Sequence, residues 1–162
     1  MGCWGPGPFD NDLAGDFQLF LSEMETTERA VRLRLMLSRP ADHLLQDWEE
    51  SVAAAAVIAE QCPGGERFTP SWQPPQYRPT PPLPLDLRPR AAAALVLVYN
   101  SEAVARGWLN SRDRDRWRTN LAQLHEALTE QSDVPQQRPG TRLGVSPRPT
   151  SPATSVTNPR RR

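Results

Sequence analysis

Proline divides this chain more firmly than any other residue. Its ring fixes φ and removes a backbone donor, so a helix does not run through it. The 18 prolines are roughly twice the usual share, and they are bunched. Pro6 and Pro8 come first, Pro40 and Pro63 stand alone, eight fall between Pro70 and Pro89, and the rest are scattered from Pro135 onward. Three long proline-free windows remain, 9–39, 41–62 and 90–134. Each of them shows helical periodicity.

The first window opens on Asp10, Asn11 and Asp12. Asp10 or Asn11 supplies the side-chain oxygen that an N-cap needs, and Asp12 suits the positive end of a helix dipole. Leu13, Phe17, Phe20, Leu21 and Met24 then recur at i, i+4, i+7, i+8 and i+11, which predicts a helix from 11 to 25. Thr26-Thr27-Glu28 resembles a second helix start, with Val31, Leu35 and Met36 continuing an apolar face. The alternation from Val31 to Leu35 also suits a strand. No partner strand is visible, so a short helix ended by Arg39-Pro40 is preferred.

The second window predicts one helix over 41–61, with Leu44, Leu45, Trp48, Val52, Ala55, Ala56 and Ala59 on one face. The run Ala53–Ala56 has the highest helix propensity available, and Cys62-Pro-Gly-Gly65 stops it. In the third window Ala91–Tyr99 is wholly apolar and reads as buried. Asn100-Ser101 caps a turn that carries Val104, Trp108 and Leu109 inward, and Ser111 caps a last helix with the stripe Trp117, Leu121, Leu124, Leu128. The alternating run Arg112–Arg116 is read as a solvated first turn or two of that helix.

Between the windows, residues 66–90 are too rich in proline for regular structure. They read as a polyproline strap or an insertion pinned by Trp72 and Tyr77. The segments Pro79–Pro82 and Pro81–Pro84 each fit PxxP, but a linker is the preferred reading. From Gln131 the chain is Pro, Ser, Thr, Gln and Arg with little to bury, so it is expected to be disordered. The expected architecture is therefore all-α: a small helical domain of about five helices over 1–130, packed around Trp48, Trp108 and Trp117. It carries a proline-rich strap at 66–90 and a disordered basic tail at 131–162.

Charge narrows the functional classes. Residues 1–130 hold 13 Arg and 18 acids, whereas 131–162 hold six Arg and one acid, Asp133. An acidic body disfavours nucleic-acid binding except weakly through the basic tail. All 19 basic residues are Arg; with the Ala runs and prolines, this points to a GC-rich, bacterial genome rather than to phosphate recognition. Two cysteines, Cys3 and Cys62, form no CxxC pattern, so neither a zinc site nor a disulfide framework is expected. The longest apolar run is too short to span a bilayer and no signal sequence is visible, so the expected compartment is the cytoplasm. Met1-Gly2-Cys3 is no acylation start, because Pro6 stands where Ser or Thr is wanted.

The most distinctive segment is the N-terminus, with Trp4, Gly5, Gly7, Phe9, Asp10, Asn11, Asp12 and Asp16 as the candidate functional or structural motif. Gly5 and Gly7 are expected to allow positive φ or close backbone approach. They are no dinucleotide fingerprint, since no strand precedes them and the third Gly is missing. Trp4 and Phe9 are expected to fold back onto the helices as anchors. Asp16 is expected to hold the Trp4 indole or the glycine loop. Asp10, Asp12 and Asp16 also suggest a site for a hard divalent cation, although the spacing is not that of an EF-hand. No nucleophile–base pair is apparent, so no catalytic or cofactor-binding residue is assigned.

This opening, Trp-Gly-x-Gly-Pro-Phe-Asp-Asn-Asp-x-Ala-x-Asp-Phe, resembles the start of the bacterial family known as domain of unknown function 4259. The resemblance extends to the Ala-rich helix Ser51–Glu60 and to the pattern Ser101, Trp108, Trp117, Leu124, Leu128, and so covers about 1–130. Family members often carry an acid where this chain has Ala56, which implies that no such acid is generally required. The family implies no activity. The functional expectation is a small cytosolic, non-catalytic protein-binding module of immunity or accessory type. The alternative is a metal-dependent enzyme using the N-terminal acids.

Overall fold

Asn11 starts the first helix as a capping residue should. Its backbone is extended and its Oδ1 accepts a hydrogen bond from the Ala14 N–H at 2.8 Å. The computed structural model describes residues 4–70 and 80–130. It contains α1 (Asp12–Glu23), α2 (Thr26–Leu37), α3 (Ala41–Gln46), α4 (Trp48–Ala59), a 3-10 turn (Gly65–Phe68), α5 (Leu87–Tyr99), α6 (Glu102–Arg106) and α7 (Ser111–Thr129). No strand occurs among the described residues. The all-α expectation holds, with seven α-helices among the described residues where about five were expected.

Two of the additional elements come from breaks that the periodicity hides. The expected helix over 41–61 is interrupted at Asp47, whose φ of −106° and ψ of 43° leave the helical region. Arg39 pairs with the Asp47 carboxylate at 2.6 Å, and the Ser51 hydroxyl donates to the Asp47 and Leu44 carbonyls across the break. The turn after Ser101 is a short helix of its own, α6, whose first turn Ser101 caps through Val104 N–H. The last helix is capped by Asn110 rather than Ser111, with Oδ1 accepting from the Asp113 N–H at 2.8 Å.

α4 is the centre of the molecule. Every residue from Ser51 to Ala59 is buried, so this helix has no solvent face over that length. Its alanines let neighbours approach closely, and α5, α1 and α7 pack around it. Gly64, in the left-handed region at φ 69°, turns the chain after it. The stripe Trp117, Leu121, Leu124, Leu128 is buried on α7 as its spacing requires.

Several faces differ from expectation. On α2 the buried side is Arg29, Leu33, Met36 and Leu37, whereas Val31 and Leu35 are exposed. Arg29 is only 2% exposed. Its Nη2 donates to the Ser22 carbonyl at 2.8 Å and its Nε to the Met24 carbonyl at 3.1 Å. A buried cation thus satisfies the last carbonyls of α1, where the helix dipole is negative. Phe20 is half exposed under the Arg32 guanidinium.

The run Ala91–Tyr99 is not wholly buried either. Val96, Leu97 and Tyr99 face solvent because the helix rotates them away from Ala91, Leu95 and Val98. The proline-dense stretch does carry regular structure at both ends. The 3-10 turn occupies Gly65–Phe68, and α5 begins at Leu87 with Pro89 in its first turn, where a missing N–H costs nothing. Of the strap itself, residues 71–79 lie outside the described residues, and with them Trp72, Tyr77 and Pro79, the first residue of the first PxxP segment. Its returning flank is held by one side chain: Gln61 donates to the Thr80 and Pro81 carbonyls and accepts from Leu83 N–H at 2.8 Å. The tail 131–162 also lies outside the described residues. Among the described residues, no helix is long and apolar enough to cross a membrane.

Candidate functional site

The N-terminal motif is a folded clasp. Asp10 does not cap α1; its Oδ2 accepts a hydrogen bond from Gly7 N–H at 2.8 Å. Trp4 N–H donates to the Asp10 carbonyl and Asp10 N–H to the Gly7 carbonyl. A Cβ added at Gly7 would lie 2.6 Å from Asp10 Oδ2, and one at Gly5 would meet the same oxygen. The glycines therefore serve close approach, and neither has positive φ. From α7, the Asn120 side chain donates to the Pro6 carbonyl at 2.8 Å.

The two expected anchors diverge. Phe9 is partly buried against the core. Trp4 is 65% exposed and stands at the surface instead of packing inward. Asp16 is exposed and has no hydrogen bond or ion pair among the described residues, so the expected bond to Trp4 does not form. The three carboxylates proposed for a cation are thus separated in role, with Asp10 turned into the loop and Asp16 out to solvent. Among the described residues, no group of three His, Cys, Asp or Glu side chains could hold a metal ion.

What the motif does build is one wall of a half-open cleft of about 440 Å³. Trp4, Gly5, Asn11, Asp12 and Leu13 face Trp48 and Glu49 from the first turn of α4. The third side is Ala103, Val104 and Gly107–Asn110, with Asp113 from α7. The break at Asp47 matters here, since it makes Trp48 and Glu49 the start of a helix rather than its middle. Below the cleft, Trp117 meets Trp48 edge-on with ring centres 5.7 Å apart and Trp108 at 5.8 Å. The expected tryptophan cluster is present; Trp48 and Trp108 line the cleft, and Trp117 packs against both. A second hollow of about 520 Å³ lies on the other side of the motif, lined by Phe9, Asp10 and Asp16 together with Trp4, Asp12, Arg67 and Phe68.

The cleft is acidic and aromatic. Burial, followed by the neighbouring Asp47 and Glu50 carboxylates, holds the Glu49 carboxyl above its ordinary range despite a backbone hydrogen bond that lowers it. Asp113 Oδ2 accepts from the Asn110 side chain at 2.7 Å. Leu109, expected to point inward, is fully exposed on the rim. Glu49, Asn110 and Asn120 carried no signal in the sequence, because only the fold brings them beside the motif. Cys62 is buried and its thiol is pushed up by desolvation, which opposes thiolate formation.

No curated protein and no solved structure is detectably similar to the chain. A family model described as Domain of unknown function (DUF4259) matches residues 2–120, in keeping with the N-terminal motif, and the chain belongs to that family.

Proposed function

We propose that this domain is a non-catalytic protein-binding module, of immunity or accessory type, that acts in the bacterial cytoplasm and engages its partner through the cleft. One observation carries the reading. Exposed Trp4 and Leu109 flank an opening lined by Trp48, Trp108, Asp12, Glu49 and Asp113. Exposed tryptophan beside a concave, partly desolvated surface is the usual composition of a binding hot spot. The acidic balance of residues 1–130 favours a basic partner and speeds its encounter.

The test is co-purification of the tagged full chain at native expression, with the Leu109→Asp chain alongside. Leu109 is fully exposed, so the substitution leaves the fold intact. Retention of a specific partner that weakens at least tenfold in the variant supports the reading. No partner, or a partner indifferent to Leu109→Asp, overturns it. The alternative, a metal-dependent enzyme using Asp10, Asp12 and Asp16, makes a contrary prediction. It requires the thermal midpoint to rise with Mg²⁺, Mn²⁺ or Ca²⁺, and the binding-module reading expects no rise.

A further inference from the structure

The chemistry of the cleft is one-sided. It carries Asp12, Glu49 and Asp113, and none of its lining residues is basic. Glu49 has no ion-pair partner among the described residues. Asp113 has only a distant one, the exposed Arg116 at 4.0 Å. Glu49 and Asp113 are partly out of water, and carboxylates so placed without a close cation are costly unless one arrives with the ligand. Trp4, Trp48 and Trp108 also line it, and indole rings carry negative π density that attracts cations.

Behind the cleft, Trp117 is 2% exposed and its Nε1–H has no hydrogen-bond partner among the described residues. It lines a void of about 10 Å³ that shares Gly5, Asn11, Trp48 and Trp108 with the cleft. That volume matches roughly one water or one ligand oxygen. A buried indole donor left unmatched costs about 1–3 kcal/mol, so the void favours an acceptor such as water, and a guanidinium, which has only donors, does not fill it.

We propose that the cleft is a guanidinium receptor, seating an arginine side chain of a basic partner protein with its charge toward Glu49 and Asp113 and its plane against the tryptophans. A planar, weakly hydrated guanidinium stacks on indoles and bonds carboxylates in a way that an ammonium does not. The cleft is within the size range of small-ligand sites. The inference rests on the protein-binding reading for the source of the arginine, but the cation site is testable without the partner.

The full chain, labelled with nitrogen-15, is titrated with N-acetyl-arginine methylamide, and separately with the citrulline and lysine analogues, while the indole N–H resonances are followed. The arginine probe is expected to give saturable shifts at Trp48 and Trp108. The citrulline probe, neutral and nearly isosteric, should bind at least tenfold more weakly. Glu49→Gln should weaken the arginine probe at least fivefold with no fall in thermal midpoint. Equal response to citrulline, shifts away from the cleft indoles, or indifference to Glu49→Gln overturns the site. A lysine probe that binds as tightly as arginine overturns the guanidinium assignment. A captured partner whose affinity ignores Glu49→Gln also overturns it while the binding module stands. Saturable arginine binding with no protein partner overturns the module and supports the site.

Discussion

The two ends of α4 follow opposite rules. From Ser51 to Ala59 the helix is buried all round, built of alanine, valine and isoleucine. One turn earlier, Trp48, Glu49 and Glu50 are only partly covered, and the first two line the cleft. The buried end gains from excluding water and from close packing. The other end keeps two carboxylates near apolar walls, an arrangement that does not maximise stability. The contrast teaches that the packed core and the cleft wall share an element but not an energetic basis, so substitutions should separate them.

The largest effect is expected in the interior. Leu121→Ala removes a side chain that is 1% exposed and should cost about 2–5 kcal/mol, read as a lower denaturation midpoint with unchanged denaturant slope. If instead it weakens binding without moving the midpoint, the division between the two regions fails. Arg29→Ala comes next. It leaves the Ser22 and Met24 carbonyls without their charged donor and should cost roughly 2–3 kcal/mol. Asn11→Ala removes the cap of α1 at the boundary of the two regions. A loss of about 0.5–2 kcal/mol is expected, accompanied by weaker partner binding because the clasp shifts with the cap. Stability loss with full binding would place the clasp on the structural side alone.

The smallest effects are electrostatic. Glu49 has its carboxyl pushed up in the folded chain, chiefly by burial. Its ionised form is therefore better tolerated unfolded, and the domain should gain stability as pH falls from neutrality through the folded pKa toward the ordinary carboxylate range. Glu49→Gln should remove that rise. Asp86 behaves oppositely. The hydrogen bond from Arg34 holds its carboxyl below the ordinary range, so its contribution is present above the unfolded pKa and is lost as pH falls through the folded one. Both groups of that pair are exposed, so the term should be small and should shrink with salt. Comparing wild type with Glu49→Gln and Asp86→Asn from pH 7 to pH 3 checks both signs.

Much of the interior was legible because period and burial agree there. Trp117, Leu121, Leu124 and Leu128 read as one face and are one face. The second helix shows why period alone misleads. Val31 and Leu35 are apolar four apart, yet Arg29, Leu33 and Met36 win the inside, because Arg29 is needed at the end of α1. That requirement is tertiary and leaves no local mark. The same holds for the break at Asp47, which Arg39 and Ser51 stabilise from elsewhere. The candidate site was half legible. Trp4, Gly5, Gly7, Asn11 and Asp12 stood out by composition, but Glu49 and Asp113 looked like ordinary helix-start acids. Only packing shows that they face the same opening.

The hydrogen bond from Asn120 to the Pro6 carbonyl joins residues 114 positions apart. During synthesis the N-terminus appears first, so the motif leaves the ribosome long before α7 exists to hold it. Closing so large a loop is slow relative to local helix formation. The cleft wall that this bond latches is therefore expected to be completed late. A nascent or clipped chain that stops short of α7 displays the whole motif yet lacks Asp113 and the Asn120 latch. Under the proposed function, partner recognition would thus report that the chain has been made and folded through α7.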